Sequence, residues 1–119
     1  MRVPTTRDRW PVSAGALLAC IAVALSAWGS HAVEGPARGN LLTAAAFAFG
    51  HGVALIALAG AGGGRLRTLA SLLLLAGTLV FGAALVGKSV FGLPSAFAPY
   101  GGMAVMLGWL LHAVAAWRP

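Results

Sequence analysis

The chain has 119 residues, of which 60% are hydrophobic and 8% charged, with a net charge of +6. A soluble domain this short keeps much of its surface in water and carries about 25% charged residues, so this composition excludes one. It also excludes a disordered chain, which is poor in apolar residues. The single cysteine, Cys20, excludes a disulfide scaffold and a Cys-x-x-Cys thiol relay. A polytopic membrane protein remains.

A spanning helix needs about 20 mostly apolar residues. Four stretches meet that length, over residues 12–31, 41–60, 68–87 and 99–117, with no Lys, Arg, Asp or Glu inside the first three and none in the fourth. The expected fold is therefore all-α: one membrane domain over residues 1–119, an integral bundle of four transmembrane helices with short loops. The first span follows Arg7, Arg9 and Pro11. Those cations and the apolar run resemble a signal peptide, with Ser30-His31-Ala32 as a weak cleavage site. The run is longer than the roughly 7–15 residues of a signal h-region, so the expectation is a retained helix with Cys20 packed in it.

Glu34-Gly35-Pro36-Ala37-Arg38-Gly39-Asn40 separates the first two spans. Its glycines and proline end helices, and Asn40 is the expected N-cap of the second. Gly62-Gly63-Gly64-Arg65-Leu66-Arg67 closes the second span, and Lys88-Ser89 ends the third. Residues 90–98 contain Gly92 and Pro94 and read as irregular. Pro99 suits the first turn of the fourth helix, where a missing N–H costs nothing.

Cations in short loops set orientation. Arg2, Arg7, Arg9, Arg65, Arg67 and Arg118 fall on one side, Arg38 and Lys88 on the other. Both termini are therefore expected in the cytoplasm. The same count explains the net positive charge, and nucleic-acid binding is not expected. The expected partners are the lipid bilayer and either another membrane protein or a second copy of the chain. Trp10, Trp28 and Trp117 fall near the expected interfaces, as aromatic anchors do.

Four segments carry a resemblance. Ser26-Ala27-Trp28-Gly29-Ser30-His31 resembles the Gly-Ala-Phe-Gly-Ala-His ending of helix one in the YgdD/YwdK-like proteins. These are small four-helix bacterial inner-membrane proteins with mitochondrial relatives (the domain of unknown function 423 family). Phe47-Ala48-Phe49-Gly50-His51 falls where that family has an aromatic-Gln-x-x-His motif, and Ala76-Gly77-Thr78-Leu79-Val80-Phe81 resembles its Gly-Thr-x-x-Phe segment. Ala98-Pro99-Tyr100-Gly101-Gly102 and Gly108-Trp109 resemble its Thr-Pro-x-Gly-Gly and Gly-Trp elements. The resemblance covers about the whole chain in order. It singles out Trp28, Gly29, His31, Phe47, His51, Gly77, Phe81, Pro99, Gly101, Gly102, Gly108 and Trp109 without supplying a role. Two departures remove polar groups: Ala48 stands where the family has Gln, and Gly82-Ala83-Ala84 where it is Ser-rich. The resemblance implies four helices and an inner-membrane location, and no activity.

Ionisable residues within a span are functional candidates by default. Here they are histidines. His31 ends the first span at the outer boundary. His51 lies about ten residues into the second span, roughly 15 Å down, and His112 about thirteen residues into the fourth, roughly 20 Å down. His31 and His51 are too far apart in depth to share a metal, and His31 with Glu34 gives at most two ligands, so no metal site is expected. His51 and His112 are near enough in depth to flank a haem, whose iron paired histidines can ligate. The competing reading has neutral His51 hydrogen-bonding to a hydroxyl or backbone carbonyl on another helix. No carboxylate lies in a span, which disfavours a proton-coupled exporter of this size, and no phosphate loop, nucleophile elbow or His-Glu-x-x-His occurs.

No catalytic residue, and hence no enzyme, is expected, and no cofactor is assigned. Small residues at i, i+4 spacing mark the expected packing faces: Ala22/Ser26/Ser30, Ala46/Gly50/Ala54, Ala83/Gly87 and Ala104/Gly108. The function expected is that of an accessory or structural subunit working by lateral contact, with a respiratory assembly as the candidate consistent with the mitochondrial relatives. The alternative is a haem-binding or small-solute transport protein centred on His51.

Overall fold

In the computed structural model the described residues are 3, 5–62 and 64–118, without the side chains of residues 7 and 8. Arg2, Gly63 and the Arg7 side chain, used above for orientation and loop placement, lie outside them. Four α-helices follow in order: α1 (Thr6–His31), α2 (Pro36–Ala59), α3 (Arg65–Phe91) and α4 (Ala98–Ala115). All four are long and apolar enough to cross a membrane, and no strand occurs among the described residues. The chain is a multi-pass membrane protein. Its 49 Å long axis exceeds the roughly 40–45 Å of a bilayer with its headgroups.

The helices extend beyond the apolar runs for local reasons. α1 begins before Pro11, which lies inside the helix; so close to the start a missing N–H forfeits a single backbone bond. α2 begins at Pro36, not at Asn40. Gly35 takes φ 70° at the N-cap, a conformation favourable only for glycine, and Pro36 supplies a preset φ. Asn40 is therefore an interior residue and not the cap. α3 runs past Lys88 to Phe91, where Gly92 adopts φ 66° and the amides of Gly92 and Leu93 bond back to the carbonyls of Lys88 and Gly87. A left-handed glycine closing a helix end satisfies carbonyls that would otherwise be orphaned. The irregular connection shortens to residues 92–97. Pro99 stands in the first turn of α4.

Sequential neighbours pack together: α1 on α2, α2 on α3, α3 on α4. The buried positions step by four and three. They are Pro11, Gly15, Leu18, Ala22 and Gly29 in α1, and Leu41, Ala45, Ala48, Gly52 and Leu55 in α2, where Ala44 is buried beside this row. In α3 they include Ala70, Leu74, Gly77 and Ala84, and in α4 Gly101, Val105, Gly108, His112 and Ala115. A 3.5-residue repeat is the signature of left-handed knobs-into-holes packing.

The strict i, i+4 rows expected from the sequence are displaced from this seam. At 3.6 residues per turn such a row drifts round the helix by about 40° per step. Only Ala22 and Gly108 of those rows are buried; Ser26, Ala46, Gly50 and Ala83 face outward, and Ser30, Ala54, Gly87 and Ala104 lie at the edges.

Two helix pairs touch backbone to backbone. A Cβ on Gly15 would sit 2.3 Å from the Gly52 carbonyl oxygen, and one on Gly52 2.6 Å from that of Gly15. A Cβ on Gly77 would sit 2.6 Å from the Gly101 oxygen, and one on Gly101 2.7 Å from that of Gly77. A Cβ on Gly108 would likewise sit 2.9 Å from the Ala70 oxygen. In lipid, where apolar burial drives little, such close approach gains dispersion energy that larger residues would forfeit.

Candidate functional site

Four polar side chains, His51, Ser71, Trp109 and His112, gather between α2, α3 and α4. Because α2 starts at Pro36, His51 is fifteen residues into its helix and about 22 Å along it; His112, fourteen residues into α4, lies at about 21 Å. Trp109 links them, with ring centroids 5.9 Å from His51 and 6.2 Å from His112. The contacts continue from His51 to Phe47 at 4.5 Å and from Phe47 to Phe81 at 4.2 Å.

The hydrogen bonds fix the state of His51. The Trp109 indole N–H, 3.1 Å away, donates to its Nε2. An indole nitrogen cannot accept, so Nε2 bears no proton and the proton sits on Nδ1. Nδ1–H then donates to the Phe47 carbonyl one turn back, at 2.8 Å. Both ring nitrogens of neutral His51 are satisfied.

His112 is buried and pairs through Nε2 with Ser71 Oγ of α3 at 3.2 Å. Its Nδ1 is buried with no hydrogen-bond partner among the described residues, as is Thr78 Oγ1. Ser71 was not legible in the sequence: it is 41 positions from His112, and no local pattern links them.

A haem iron between two histidines needs a free nitrogen from each, facing a common point. His51 has neither nitrogen free, and Trp109 touches both imidazoles. The pair as arranged does not fit that role. Among the described residues no three His, Cys, Asp or Glu side chains converge.

The other singled-out positions divide. Gly77, Gly101 and Gly108 lie in the α3–α4 seam, and Phe81 beside Gly101. Gly29 is buried against Leu41 and Leu42. Trp28, Pro99 and His31 are exposed, Gly102 is half-buried with open space at its Cα, and none of these four joins the ring cluster. Sequence reasoning missed Gly15 and Gly52. No local pattern in the sequence distinguishes them from the outward-facing glycines; the structure does so by burying both in the α1–α2 seam.

No protein-family model, curated protein or solved structure matches the chain.

Proposed function

We propose that the chain is a non-enzymatic accessory or structural membrane protein, associating laterally with a larger membrane assembly or with further copies of itself. The observation that supports this reading best is the backbone contact at Gly15–Gly52 and Gly77–Gly101. Helices this close leave little lumen for a solute, and the imidazoles beside them are engaged in bonds within the bundle. What the protein offers is its outer surface. On α4 that surface includes Met103, Met106, Leu107 and Leu110, and methionine adapts readily to partner surfaces.

The six-to-two division of cations supports a topology with both termini in the cytoplasm, and the motif resemblance supports membership of the YgdD/YwdK-like family and a bacterial inner-membrane location. A respiratory complex is the assembly consistent with that family's mitochondrial relatives. The alternative, haem binding or solute transport centred on His51, requires Trp109 to release its bond. Purification from native membranes in mild detergent tests the proposal. A co-purifying subunit or a homo-oligomer is expected, and a strictly monomeric protein without companions overturns it.

A further inference from the structure

A groove of about 460 Å³ runs between α1 and α2 on the outer surface of the bundle. Ala22, Ser26 and Ser30 of α1 and Leu42, Ala46 and Phe49 of α2 form its walls, and His31 closes one end. It arises because the α1–α2 seam bears small residues on this side, leaving space that longer side chains would fill. Its volume falls in the roughly 300–1,000 Å³ range of small-molecule sites.

Three features identify an occupant. From Ala22 to His31 the groove follows α1 for about 13 Å, close to half of the roughly 30 Å hydrocarbon core, which is the depth of one leaflet. Its interior is mainly apolar, with polar groups (Ser26, Ser30, His31) on the α1 side towards the helix end. Arg38 is exposed one turn before Leu42, on the same face of α2 and beyond the groove's end. Arg38 forms no ion pair among the described residues; nor does Glu34, the acid at this end of the bundle. A cation at headgroup level above an apolar slot one leaflet deep complements a phosphate above an acyl chain.

We propose that the α1–α2 groove is a binding site for one phospholipid, its acyl chain lying between Ala22 and Phe49 and its phosphate held by Arg38 and His31. The serine hydroxyls lie towards the ester region, and the Glu34 carboxylate opposes the phosphate.

Native mass spectrometry of the detergent-solubilised protein, titrated with dioleoylphosphatidylglycerol, tests this. One lipid per chain should bind saturably. Ala46→Trp, which fills the groove, should abolish that binding, as should Ser26→Leu from the opposite wall. Ala113→Trp, on the exposed surface of α4, should leave it intact. Arg38→Gln should weaken binding about five-fold, the contribution typical of one cation near a lipid surface, and Glu34→Gln should strengthen it. Circular dichroism of each variant verifies the helices. Lipid retention unchanged in both groove-filling variants overturns the proposal. So does a lipid-free dimer that Ala46→Trp dissociates, which would assign the groove to a second copy of the chain.

Discussion

The Trp109 indole of α4 donates to Nε2 of His51 on α2, 3.1 Å away, and so ties together two helices that pack little otherwise. The bond demands the neutral Nδ1–H form of His51, and the Phe47 carbonyl accepts that proton at 2.8 Å. A residue that reads in the sequence as an isolated intramembrane histidine is thus a structural cross-link with both nitrogens occupied.

Trp109→Phe keeps an aromatic ring but removes the donor. Interhelical hydrogen bonds in membrane bundles average about 0.6 kcal/mol and reach about 1.7, so a loss in that range is expected in denaturant unfolding of the detergent-solubilised protein. In a double-mutant cycle with His51→Ala the loss in the double variant should fall short of the sum of the two single losses. Strict additivity would show that the bond contributes nothing.

Glycine substitutions should separate sharply by position. Gly77→Ala or Gly15→Ala drives a methyl into a backbone carbonyl, and overpacking of this kind costs about 1–3 kcal/mol. Gly50→Ala meets nothing within 4 Å and should stabilise α2 by about 0.5–1 kcal/mol, the ordinary gain of alanine over glycine in a helix. Thermal unfolding of the three variants checks the ordering.

Much of this architecture is legible in the chain. Four apolar runs specify four helices, because lipid requires every backbone polar group to be satisfied within its own segment. The packing faces are less legible. Alanine and glycine occur all round these helices, so small residues alone do not distinguish Gly52, buried against Gly15, from Gly50, which faces outward. The phase of the seam is set by tertiary contact. For the same reason the sequence supplies His51 and His112 as candidates but not the partners that occupy them. Trp109 and Ser71 are brought there by the packing of α3 against both α2 and α4.

The state of the histidines has a spectroscopic consequence. Protein expressed with full haem supply should purify without a Soret band, and His51→Ala should leave the spectrum unchanged. A Soret band that disappears in His51→Ala would mean that the Trp109 bond gives way to iron ligation.

Topology can be read with a membrane-impermeant thiol reagent. In a Cys20→Ser background, cysteines at Ala37 and Ser95 should label from outside intact cells, whereas one at Ala116 should label only after lysis. The proposed topology, based on the cation distribution, predicts this pattern; external labelling at residue 116 would invert the bundle.

The central claim, that the protein acts through its outer surface by lateral association, is tested most directly by photo-crosslinking in intact native membranes. A photoreactive amino acid at Leu17, Val53, Leu72 or Leu110 samples one outward-facing position per helix. The account predicts a discrete protein adduct from at least one of these helices, formed before any detergent is added. Absence of a protein adduct at all four positions, with the variants stably inserted and the probes reacting only with lipid, would contradict it.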